Sequence, residues 1–206
     1  MGKYLRKPEP YLKKTEPRGS ILFALLRPYL RKGDKILDSG CGYSPMAENL
    51  LAHWYRITGF DIDAEVIAHL KKTQALGDWH CVTYDEADFT GYTILLLLGA
   101  GAAWNGADFH DYLKRTREKN RIRLVFMEMA HSTKTHPRDE GYINALATFK
   151  ENGYDEVYSG TYESGLEGQA STRTYNILAR SQTAYTPEEE ERIKDRLRQL
   201  GYMGDS

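Results

Sequence analysis

Between Lys35 and Gly153, short apolar runs alternate with amphipathic ones, and this alternation constrains the fold more than any other feature of the chain. Lys35–Ser39, Tyr55–Asp61, Trp79–Tyr84, Tyr92–Leu98 and Arg121–Met129 read as strands. Met46–His53, Ala64–Lys72, Asp108–Lys119 and Arg138–Asn152 read as helices. The run Tyr92–Leu98 is apolar almost throughout, as expected of a strand buried on both faces of a parallel sheet. Asp63 is placed to cap the helix that follows it, and Gly153 to close the helix before it.

The rhythm changes after Gly153. Glu156–Tyr162 and Thr172–Arg180 are strand-like with no helix between them, so an antiparallel pair is expected. Thr186-Pro187-Glu188-Glu189 opens a last helix, with Thr186 as cap, Pro187 in the first turn and acids beside it. The expected fold is an α/β, Rossmann-like, doubly wound sheet. It is mostly parallel, with about seven strands of which the last is antiparallel, plus an N-terminal arm and a C-terminal helix. The chain reads as a single domain over 1–206: a basic arm over 1–19, a core over 20–180 and a helical end over 181–206. Within the core, Ser20–Arg31 reads as a short helix with Ser20 as its cap.

Composition narrows the function classes. The longest near-apolar run, Ile94–Trp104, is too short to span a bilayer, and no secretory leader is read at the start. Cys41 and Cys81 are the only cysteines, too few for a disulfide framework or a zinc spacing. A cytoplasmic protein with no membrane partner and no metal is therefore expected. Residues 1–35 hold ten Lys/Arg against three Asp/Glu, while the whole chain has a net charge of −1. The arm is thus either a solvated charge run or a segment that meets an anionic ligand or nucleic acid.

The most informative stretch is Lys35-Ile36-Leu37-Asp38-Ser39-Gly40-Cys41-Gly42-Tyr43-Ser44-Pro45. A strand runs into an acid, then Gly-x-Gly, then a helix, at the carboxyl end of the first strand, where open α/β sheets bind ligands. A dinucleotide loop wants a third glycine where Pro45 stands, and Asp38 would repel a pyrophosphate. A carboxylate there suits a ligand with a positive amino group.

Residues Ile36 to Gly42 resemble the first motif of class I S-adenosylmethionine-dependent methyltransferases. Gly59-Phe60-Asp61-Ile62-Asp63 resembles the acidic motif after that family's second strand, and Ala87-Asp88-Phe89 its adenine-contacting segment. The likeness spans about residues 30–180. It implies S-adenosylmethionine as cofactor and S-adenosylhomocysteine as product. Gly40, Cys41 and Gly42 would pass beneath the methionine part, and Asp38 would hold its amino group. Asp61 would accept from both ribose hydroxyls, Ile62 would pack on the adenine, and Asp88 and Phe89 would read its edge. Gly99, at the end of the fourth strand, is counted with them. The family's usual third loop glycine is Ser44 here.

Methyl transfer from a sulfonium is an in-line displacement that positioning alone can accelerate, so a catalytic residue need not be visible. Glu128 and His131 are candidates to orient or deprotonate an acceptor. Trp104, Asn105, Tyr11 and Arg18 are candidates to line the acceptor pocket or close over the cofactor. The acceptor expected is a small molecule. An RNA or protein acceptor, and a cofactor-binding protein or cyclase without methyl transfer, are the competing readings. Oligomeric state is not legible.

Overall fold

The alternating runs fold as β1 (Lys35–Ser39), β2 (Arg56–Asp61), β3 (Asp78–Cys81), β4 (Ile94–Leu98), β5 (Leu124–Ala130), β6 (Tyr154–Ser164) and β7 (Ser171–Arg180). The helices are α1 over 18–26, α2 (Ala47–Ala52), α3 (Ala64–Thr73), α4 (Ala107–Lys119), α5 (Pro137–Glu151) and α6 (Pro187–Gln199). These positions come from a computed structural model, which describes residues 18–99, 104–130, 137–164, 171–180 and 187–199. No helix among the described residues is long and apolar enough to cross a membrane.

All seven strands join one sheet in the order β3-β2-β1-β4-β5-β7-β6. β3, β2, β1, β4 and β5 are parallel. β7 is inserted antiparallel between β5 and β6. This is the expected doubly wound architecture. Strand alternation splits the core in two. Ile36, Leu96 and Phe126 face a layer built from α1, α2, α3 and α6. Leu37, Leu95 and Val125 face α4 and α5. In α1, Leu22, Leu25 and Leu26 are fully buried, each worth about 1.5–3 kcal/mol of burial.

Three local expectations shift. α1 already includes Arg18 and Gly19, so Ser20 lies inside the helix instead of capping it, and the core reaches back to at least residue 18. The reason is packing: Gly19 presses onto the loop after β1 so closely that a Cβ there would lie 1.9 Å from the Pro45 carbonyl oxygen. β3 ends at Cys81, not at Tyr84. β5 begins at Leu124, because Arg123 turns its guanidinium onto Asp34 and the Tyr29 carbonyl.

The β3–β4 connection, residues 82–93, contains no helix. It descends along α4. Tyr84 packs on Phe109 and Tyr112, Arg115 donates to the Tyr84 and Asp85 carbonyls, and Asn120 donates to the Phe89 carbonyl. The descent carries the chain from the C-terminal rim of the sheet to the N-terminal one.

Candidate active site

The site lies on the rim formed by the C-terminal ends of β1, β2 and β4. β1 runs straight into the glycine loop. Gly40 and Gly42 have φ of +63° and +50°, the left-handed region where glycine carries no Cβ penalty. A Cβ on Gly42 would meet nothing within 4 Å, so the loop backbone borders open space. Ser44, where the third glycine is usual, also takes positive φ, +43°.

Asp61 fastens this loop to β2. Its Oδ2 accepts from the Gly42 N–H at 2.9 Å, and its Oδ1 from the Asp63 N–H at 3.0 Å. The Cys41 N–H donates to the Phe60 carbonyl at 2.9 Å. Each Asp61 oxygen keeps a second acceptor position, and the side chain is only half-buried. Asp63 does what its position predicts, accepting from the Glu65 and Val66 N–H groups at the start of α3. Between them, Ile62 is 72% exposed, an apolar side chain open at the rim.

Asp38 is fully buried beneath the loop. Its Oδ2 accepts from the Ser44 hydroxyl at 2.6 Å, while Oδ1 has no hydrogen-bond partner. Burial pushes its pKa up to about 7, against the opposing pull of the Ser44 hydroxyl and the Arg18 guanidinium. Burial, with Asp38 and Asp61 nearby, also pushes the Cys41 thiol up, so Cys41 is no nucleophile.

Glu128, at the end of β5, is equally buried but has donors on both oxygens. Arg18 donates Nε at 3.2 Å and Nη2 at 2.6 Å, Tyr162 donates its hydroxyl at 2.7 Å, and Arg173 donates Nη1 at 2.6 Å. Burial pushes its carboxyl up, but Arg18 and Arg173 outweigh that and hold it below the ordinary range. Glu128 and Arg18 thus form a buried ion pair between α1 and β5. Gly99, with φ +78°, donates its N–H to the Glu128 carbonyl and sits directly over this pair.

The remaining expected site residues separate. Trp104 is fully buried, stacked on Phe109 and Tyr142 at 6.0 and 5.7 Å, and is core. Asn105 is exposed next to Asn144. Tyr11 and His131 lie outside the described residues. Asp88 and Phe89 are not brought to the loop. Asp88 pairs with Lys119 at the last turn of α4, and Phe89 stacks on Phe60 at 5.3 Å. At the height of the loop, the connection instead presents Val82, whose N–H donates to the Asp61 carbonyl. No three His, Cys, Asp or Glu side chains cluster as a metal site among the described residues.

Residues 11–157 match the methyltransferase domain family. The chain belongs to that family. Its fold is that of N-methyltransferase NodS from Bradyrhizobium japonicum, solved with S-adenosylhomocysteine. The TM-score is 0.61 at 11% identity, over 80% of this chain and 86% of that one. It is likewise similar to magnesium protoporphyrin IX methyltransferase from Synechocystis with S-adenosylmethionine bound, with a TM-score of 0.57 at 14% identity over 84% and 81%. A proposed RNA methyltransferase from Pyrococcus horikoshii gives 0.57 at 14% over 79% and 83%. No curated protein sequence matches. The methyltransferase uses S-adenosylmethionine. The site fits that cofactor: a buried acceptor without a donor at Asp38, a doubly anchored carboxylate at Asp61, and an exposed apolar side chain at Ile62.

Proposed function

We propose that the protein transfers the methyl group of S-adenosylmethionine to a small-molecule acceptor lying over the ends of β4 and β5. The observation that carries the cofactor placement is Asp61. Anchored by two backbone N–H groups, its carboxylate is fixed at the strand end with an acceptor position left on each oxygen, the arrangement that chelates a vicinal diol. Gly40 to Gly42 let the methionine part approach the backbone, Asp38 offers its Oδ1 to the amino group, and Ile62 covers one face of the base. Val82, whose N–H donates to the Asp61 carbonyl, is the residue of the β3–β4 connection offered to the base edge in this reading.

The bound cofactor supplies a methyl group already activated on a sulfonium. The chain's own part is to hold donor and acceptor in line and exclude water, which can supply most of the acceleration. Glu128 is a poor candidate for a base, because Arg18 and Arg173 outweigh its burial and hold its carboxyl below the ordinary range. Support for a small acceptor comes from the short connections: from β1 to β7 none is longer than residues 82–93.

Asp61→Ala tests the placement. Each lost hydrogen bond to the carboxylate is worth roughly 1.5–3 kcal/mol, so S-adenosylhomocysteine affinity should fall at least tenfold by calorimetry. Unchanged affinity removes Asp61 from the ribose. Labelled methyl transfer into small metabolites supports the acceptor class, and transfer into RNA only overturns it.

A further inference from the structure

We infer that Asp38 carries a proton in the empty site, and that the α-ammonium group of the cofactor displaces it on binding, with Ser44 fixing the oxygen that meets it. This rests on the cofactor placement above.

The geometry is specific. Asp38 has no exposed surface, and of its two oxygens only Oδ2 has a donor. Oδ1 is buried and unpartnered. Ionising a carboxyl in that state leaves charge on a buried oxygen with no protein donor, which is costly. The charged and titratable groups around it do not remove that cost. The charge of Arg18, from α1, favours ionisation, but its Nε and Nη2 are engaged by Glu128. Asp61, from β2, is a like charge and opposes ionisation. The Cys41 thiol on the loop and the Tyr112 hydroxyl on α4 are both held neutral by burial. Burial dominates, in keeping with a carboxyl titrating near neutrality.

An ammonium arriving at Oδ1 supplies both the missing donor and the missing counter-charge. The exchange balances: the carboxylic acid and the ammonium become a carboxylate–ammonium pair, and one proton leaves to solvent. Ser44 makes the exchange directional. Its left-handed backbone is less favourable than glycine's, and it places a hydroxyl 2.6 Å from Oδ2. Oδ1 is thereby the oxygen left without a donor.

The sign of the linkage follows. Below the empty-site pKa of about 7, binding must expel a proton, so affinity weakens about tenfold per pH unit of acidification. Above about 8 the cofactor amino group itself loses its proton and affinity falls again. A bell-shaped profile results.

Calorimetry of the full chain at pH 6, in two buffers of different ionisation enthalpy, counts the protons. S-adenosylhomocysteine should release about one proton, and 5′-methylthioadenosine, which lacks the amino-acid portion, almost none. Asp38→Asn should bind S-adenosylhomocysteine more weakly, without proton release and without acid dependence. Ser44→Ala removes a donor to the ionised form, so its acid midpoint should move to higher pH. Both ligands binding with no proton released overturns the inference alone, as does equal release in Asp38→Asn. An unmoved midpoint in Ser44→Ala overturns the part given to Ser44. Failure of both ligands to bind overturns the cofactor placement itself.

Discussion

Asp38 and Glu128 are both fully buried carboxylates near the same rim and on the same face of the sheet, yet they are built for opposite ends. Glu128 receives hydrogen bonds from two arginines and a tyrosine. Asp38 receives one, from Ser44. The pKa directions follow, down for Glu128 and up for Asp38. The difference teaches that burial alone does not mark a functional acid. What marks it is the donor that is missing, and the half of the rim over β1 and β2 is where the protein leaves one out.

The comparison can be broken in three places. The largest effect is expected at Glu128→Gln, which strands the Arg18 and Arg173 charges. Removing one partner of a buried pair costs about 3–5 kcal/mol, read as a lower midpoint in denaturant at pH 7. A change under about 1 kcal/mol would mean that Glu128 is not the anchor of α1. Next is Asp38→Asn in the empty protein. The Asp38 carboxyl is raised on folding, so the stability carried by its neutral form is intact below about pH 4 and lost as pH rises through about 7. The variant should match the parent in acid and exceed it by roughly 2–4 kcal/mol at pH 8, from thermal melts across that range. Equal stability at both ends would show that Asp38 is ionised when empty. The smallest effect is expected at Asp88→Ala. Its pair with Lys119 is exposed, so stability should change by no more than about 0.5 kcal/mol and S-adenosylhomocysteine affinity not at all. A large loss of affinity would return Asp88 to the site.

Much of this was legible in the residues. β1 and α3 fall where strand pattern and capping put them, because Gly40, Asp63 and Gly153 are local signals. The glycine loop and Asp61, nineteen residues past Gly42, are likewise short-range features and meet as expected. Asp88 was misplaced for a physical reason. A residue just before a parallel strand lies at the opposite rim from one just after a strand, and the helix-free connection hides that reversal. The Arg18–Glu128 pair had no sequence signal at all, since its partners stand 110 residues apart and only the packing of α1 joins them. Ser44 looked like a departure from the pattern, and only its φ and its contact with Asp38 show it occupying the glycine's conformation.

The helix-free connection also bears on which segments open together. On one side of residues 82–93, the carbonyls at Tyr84, Asp85 and Phe89 are held by Arg115 and Asn120 of the α4 region. On its other side the segment packs on the sheet, through Tyr84 and Phe89 on Phe60 and the Tyr92 hydroxyl on Thr58, so it joins α4 to β2. The connection and α4 behave as one cooperative unit although they are separated in the chain by the whole of β4. Substitutions at Arg115 or Asn120 are therefore expected to loosen the connection and α4 together, at a distance from the glycine loop, read as faster hydrogen exchange in both segments.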